Sequence, residues 1–250
     1  MLAGVFGLLL SFCAGADAGA SEAFSMYNHA NSLYAAGEYQ AARDRYLEVV
    51  AGGMEDAWLF YNLGNAWFKS GELGKAILWY ERARRLEPRD PDILHNLRFA
   101  KTIKRDRDPE PGHRFYTAMA RVLHHPTLDE LSAAFSALLL ALFLLGLVWL
   151  RRGRQMTSGW LAGVIVCSSL LLVNTVVLSA RMYHHYTVTE AIVIYPQARA
   201  RSGPDERQTP VFLVHEGTKV RIDRQQEDWL LIRLPNGLRG WLERRKVEEI

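Results

Sequence analysis

Hydrophobic and polar positions follow three rules along this chain. Between residues 23 and 105 apolar and aromatic side chains recur at three- and four-residue steps among charged ones, the pattern of amphipathic helices. Leu131 to Leu150 then holds no charged residue, and neither does Trp160 to Ala180. Each run is long enough as a helix to cross a hydrocarbon core of about 30 Å. From Thr187 the period shortens: Ile192 to Tyr195, Val211 to Val214, Lys219 to Ile222, Trp229 to Leu234 and Gly240 to Leu242 are β-prone runs separated by turn residues. Pro235-Asn236-Gly237 between the last two predicts a tight hairpin, because Asn-Gly accepts positive φ angles. The pattern predicts a multidomain chain: an all-α region, two transmembrane helices over 131–150 and 160–180, and a small all-β domain over 187–250.

Within the helical region the chain repeats itself. Tyr27-Asn28, Asn31, Gly37-Glu38, Ala42 and Tyr46 recur 34 residues later as Tyr61-Asn62, Asn65, Gly71-Glu72, Ala76 and Tyr80. That period is the mark of a helix-turn-helix solenoid. The second copy, with Gly64, Ala76, Tyr80, Ala83 and Pro88, resembles the tetratricopeptide (TPR) pattern. A domain over 23–105 is expected, with repeats at about 23–56 and 57–90. Residues 91–105 then form a capping helix, in which His95-Asn96-Leu97 continues the register of Tyr61-Asn62-Leu63.

Such a solenoid presents a concave face. Tyr27, Asn31 and Tyr34 share one helix face by their spacing, and Tyr61, Asn65 and Phe68 repeat it. Asn28, Asn62 and Asn96 add amides able to bond an extended peptide backbone. These nine residues are the candidate peptide-binding groove, and their amides are expected to be exposed and replaceable without loss of stability. The alternative is that part of the stripe packs against the next helix. Asn31 and Asn62 match asparagines of carboxylate-clamp repeats, but Tyr27, Tyr61 and Asp92 stand where lysines would, so a C-terminal carboxylate is a poor ligand.

Charge sets an orientation for the apolar pair. Arg151, Arg152 and Arg154 crowd the 151–159 connection, which assigns it to the cytoplasm and both soluble domains to the outside. Residues 1–20 read as a secretory signal with an apolar run from Val5 to Phe12, although no Lys or Arg precedes it. Phe12 before Cys13 argues against a lipidation site. Cys167 lies inside the second apolar run, so no disulfide is expected after cleavage. Residues 106–130 are a charged linker and juxtamembrane segment.

Arg201-Ser202-Gly203-Pro204, His215-Glu216-Gly217-Thr218, Trp229 and Gly240-Trp241 resemble the bacterial Src-homology-3-like (SH3-like) domain, which implies a small closed barrel. The whole order (signal, repeats, membrane hairpin, barrel) is similar to the BatE-type proteins of bacterial aerotolerance operons. That resemblance implies a periplasm-facing inner-membrane scaffold acting beside a MoxR-type ATPase and von Willebrand factor A-domain proteins. A different class of function is an envelope sensor whose barrel binds cell-wall peptide or glycan.

Nothing in the sequence calls for an enzyme or a cofactor: there is no His-Glu-x-x-His, phosphate-cradling glycine loop or Gly-x-Ser-x-Gly. Asp228 and Glu243 read as solvated strand-edge carboxylates. The net charge is +3, and the basic residues near Lys101 to Arg107 alternate with Asp106 and Asp108, a solvated helix end rather than a nucleic-acid surface. His124-His125 and His184-His185 flank the hairpin on one side. They are interfacial residues or, alternatively, a metal cluster.

Overall fold

The computed structural model of the chain describes residues 21–107, 126–153 and 157–250. They fall into two compact units: the chain up to Asp108 together with Thr189–Ile250, and Pro109–Val188. The expected signal segment, His124 and His125 lie outside the described residues.

The first unit opens with helices α1 (21–35), α2 (Tyr39–Ala51), α3 (Ala57–Lys69), α4 (Leu73–Leu86) and α5 (Pro91–Ile103). Their ends are set locally. Asp56 accepts from the Trp58 and Leu59 N–H groups to start α3, and Asp90 does the same for α5 with Pro91 in its first turn. Gly71 takes φ +84° after α3, a conformation that favours glycine. Small residues set how closely the helices cross: a Cβ on Gly64 would stand 2.6 Å from the Tyr80 ring. Ala42, Tyr46, Leu59, Leu63, Ala66, Ile77, Tyr80, Ala83, Ile93, Leu97 and Ala100 are buried between the helices.

The C-terminal region is a seven-stranded antiparallel sheet: β1 (Thr189–Val193), β2 (Gln197–Arg201), β3 (Pro210–His215), β4 (Lys219–Gln226), β5 (Trp229–Arg233), β6 (Arg239–Glu243) and β7 (Val247–Glu249), in the order β3-β2-β6-β5-β4-β1-β7. It is open, not the closed barrel expected. The edge strand β3 begins at Pro210, which has no N–H to give, and β7 is only three residues long, so the two ends offer little ladder to each other. The expected tight hairpin forms at Pro235-Asn236-Gly237: the Leu234 N–H donates to the Leu238 carbonyl and the Gly237 N–H to the Leu234 carbonyl, both at 2.9 Å. Gly237 takes positive φ and Asn236 does not; the Asn236 side chain instead accepts from the Leu238 N–H.

Helix α4 carries the sheet. Ile192 of β1 lies in the same buried cluster as the helices, with Ile194 and Ile250 packed against it. Gly74 makes the contact close, since a Cβ there would meet the Val193 carbonyl oxygen at 2.9 Å and Ile194 Cα at 3.1 Å. One edge of the sheet is thus packed into the core of the repeats, while Ala191, Val193, Val220, Leu230, Ile232 and Leu242 form a second core within the sheet.

The second unit is a pair of long apolar helices, Leu128–Arg151 and Ser158–Thr187. Thr127 and Glu130 form a capping box at the start of the first, and Thr157 caps the second. The two pack together, with Trp160 Nε1 donating to the Leu145 carbonyl at 3.0 Å and Arg181 donating to the Pro126 carbonyl at 2.9 Å. Their outward faces are apolar and uncovered, as at Leu140, Phe143, Leu172 and Val173. Both are long and apolar enough to cross a membrane.

Candidate functional site

Helices α1, α3 and α5 bring eight of the nine predicted residues into one repeating hydrogen-bond ladder or its margin. The Asn31 side-chain oxygen accepts from the Tyr46 hydroxyl at 2.6 Å and from Asn62 Nδ2 at 3.2 Å, while Asn62 Nδ2 also donates to the Tyr27 hydroxyl at 2.8 Å. One repeat on, Asn65 accepts from Tyr80 at 2.7 Å and from Asn96 Nδ2 at 2.9 Å, and Asn96 Nδ2 donates to Tyr61 at 2.8 Å. Tyr46 and Tyr80 come from α2 and α4, so each rung joins three helices. Tyr34 and Phe68 continue the same face beyond the rungs.

The ladder corrects the expectation of free groove amides. Asn31, Asn62, Asn65 and Asn96 are half-buried and spend one side of each amide on the fold. Asn28 is exposed and stands apart. Its counterparts Asn62 and Asn96 reach back to the preceding repeat, and no described repeat precedes α1. Tyr46 and Tyr80 were legible as repeat positions but not as hydroxyl donors to this face.

Beside the second rung lies a concave cavity of about 340 Å³. Tyr34, Tyr61, Asn65, Phe68 and Asn96 line it, joined by Tyr80, Lys69 and Phe99. Phe68 and Phe99 meet at 5.8 Å between ring centroids. Burial raises the phenol pKa of Tyr34, Tyr61, Tyr46 and Tyr80, so all four keep their protons near neutrality. The wall therefore offers aromatic area, hydroxyls, the unspent sides of two amides and one cation. That combination is chemically suited to a peptide backbone and apolar side chains.

A second constellation lies where α4 meets the sheet. Glu81 is 1% exposed and receives Lys101 at 2.5 Å, Arg84 at 2.8 Å and Lys219 of β4 at 3.7 Å. Burial pushes its pKa up, but Lys219, Lys101 and Arg84 together outweigh that and bring it down to about 2. Glu190 pairs with Lys219 at 2.7 Å, Arg82 reaches the Glu249 carbonyl at 2.6 Å, and Arg85 the Ile250 carbonyl at 2.6 Å. Asp106 accepts from the His215 N–H at 2.8 Å and the Thr218 hydroxyl at 2.7 Å. With Lys104 only 6% exposed, the stretch after α5 is a docked segment rather than the solvated helix end expected. The one sequence signal for this seam was Gly74, Ile77 and Glu81 on a single helix face.

In the sheet a larger hollow of about 1050 Å³ lies between residues 204–207, Asp228, Trp229 and 243–245. Glu243 there is not the solvated carboxylate expected: it pairs with Arg245 at 2.5 Å and with Lys246. Among the described residues no group of three or more His, Cys, Asp or Glu gathers to hold a metal.

The family described as tetratricopeptide repeat matches residues 27–91, and the family described as bacterial SH3 domain matches residues 196–248. Over 83 residues the chain is 34% identical to the Photosystem I assembly protein Ycf3 of Rippkaea orientalis (strain PCC 8801 / RF-1). The match takes in 31% of this chain and 47% of that protein, so the chain spans about half the length of this relative. Two interaction modules are thereby established: the chain carries tetratricopeptide repeats and a bacterial SH3 domain.

Proposed function

We propose that the chain is a membrane-anchored, non-catalytic scaffold whose repeat groove holds an extended segment of a partner protein. The observation that carries this is the cavity between Tyr34, Phe68 and Phe99, where the ladder fixes Asn65 and Asn96 with one side of each amide unspent. A relative named as an assembly protein is consistent with a role in holding other proteins. The order of modules favours a BatE-type place in an envelope stress system of the MoxR and von Willebrand A-domain kind. In this reading the apolar helices span the inner membrane, the 151–159 connection is cytoplasmic, and both interaction modules face the periplasm.

The test is retention of a von Willebrand A-domain partner by the full chain in membranes, with the groove intact and with Tyr34→Ala and Phe68→Ala together. Loss of the partner from the double variant is expected; full retention contradicts the groove. Alkaline phosphatase fused after Ile250 reads the orientation and should be active, whereas an inactive fusion there and an active one at Arg154 would reverse it.

A second reading is favoured by the hollow beside Trp229, whose size and mixed charge suit a cell-wall peptide or glycan. Binding of muropeptide that survives the groove variants but is lost on Trp229→Ala would support it.

A further inference from the structure

The strand register gathers arginines on one face of the sheet, the face that α4 meets at β1 through Ile192 and Glu190 and that lies open across β4, β5 and β6. Arg221 of β4 stands opposite Arg233 of β5, which stands opposite Arg239 of β6. With strands about 4.8 Å apart, three guanidinium groups form a row across roughly 10 Å. After the bulge at Asp223, Arg224 takes the next position opposite Leu231, adding a fourth. Like charges placed directly opposite one another oppose strand pairing, so the sheet itself gains nothing from this row.

Counter-charge is sparse. Asp223 is shared between Arg233 at 2.7 Å and Arg239 at 3.4 Å. Glu190 lies opposite Arg221 in the register, but its carboxylate turns to Lys219 at 2.7 Å and Arg85 at 3.8 Å. Arg221 and Arg224 are exposed, and among the described residues neither has an ion-pair partner. Two of the four arginines thus share one aspartate, and the other two have none among the described residues.

We propose that this face docks on the anionic headgroups of the bilayer. Guanidinium groups bind phosphate through paired hydrogen bonds, and a row of them suits a surface of phosphates. The chain supplies the surface: it leaves the second apolar helix at Thr187 and enters β1 at Thr189, the strand paired with β4. The proposal rests on the reading that this helix spans a membrane. A soluble polyanion is the other source of the same chemistry.

The test is hydrogen exchange of the full chain in nanodiscs of phosphatidylcholine alone and of phosphatidylcholine with phosphatidylglycerol. Amides of β4, β5 and β6 should exchange several-fold more slowly in the anionic discs, and high salt should abolish the difference. Arg221→Gln with Arg224→Gln should abolish it as well, and Arg221→Lys with Arg224→Lys should restore part of it. Equal exchange in both discs, or slowing that survives both the Gln variant and salt, overturns the proposal. Equal slowing by soluble polyphosphate in neutral discs also overturns it, assigning the face to a free polyanion. A chain that fails to enter either disc refutes the membrane reading and this proposal with it.

Discussion

The Gly74 N–H in the first turn of α4 donates to the Glu216 carboxylate of the β3–β4 turn at 2.9 Å. Glu72, at the N-cap position of α4, makes no side-chain cap of its own, so the sheet supplies one from across the seam. Negative charge at a helix N-terminus is stabilising as well.

Removing that contact should loosen the join between repeats and sheet. Glu216→Ala is expected to cost about 1 kcal/mol, the usual value of a cap. Gly74→Ala should cost more, about 1–3 kcal/mol, because two of the three atoms a Cβ would meet are backbone and cannot swing aside. Trypsin cleavage after Arg105 and Arg107, beside the docked Asp106, reads both: it should be slow in the wild type and faster in each variant, most of all in Gly74→Ala, and an equal rate there would show that the seam tolerates the methyl.

Acid should weaken the same seam through Glu81. Its folded pKa of about 2 lies below the ordinary 4.5, so its stabilisation is whole above about pH 4.5 and drains as the pH falls toward 2. At about 1.4 kcal/mol per pKa unit the amount is roughly 3 kcal/mol. Glu81→Gln should lower stability by a similar amount near neutrality and flatten the pH dependence between 4.5 and 2. Denaturant unfolding across that range checks it, and an unchanged slope in the variant would place the acid sensitivity elsewhere.

The ladder makes a third prediction. Asn65→Ala strands the buried Tyr80 hydroxyl and should cost about 1–3 kcal/mol. Tyr80→Phe in the same background should recover part of that loss, since the orphaned donor is then gone. If Asn65→Ala unfolds at the wild-type midpoint, the amide serves the groove alone.

Much of the helical half was legible because its signals are local. Asp56, Gly71 and Pro91 act on their own helix ends, and the recurrence of Asn31 at Asn65 and Asn62 at Asn96 is printed in the chain. The direction of the amides was not legible. Whether Asn62 faces a ligand or Tyr27 depends on where α1 lies against α3, which spacing within one helix does not fix. The seam was hidden for a similar reason: a lone Glu81 reads as helix surface until Lys219 arrives from a distant strand. The open sheet was missed because turn residues mark where strands begin and end, while closure depends on whether two edges, here β3 and β7, have enough ladder to meet.

The groove is tested most directly by photo-crosslinking in intact membranes, with a benzophenone side chain placed in turn at Tyr34, Phe99 and Asp44. Tyr34 and Phe99 line the cavity, whereas Asp44 is exposed on α2 and outside it. The account predicts the same discrete adduct from positions 34 and 99, absent at 44 and lost when Phe68→Ala is added. An adduct from position 44 equal to the others, or none from the two groove positions, would contradict a partner held in the groove.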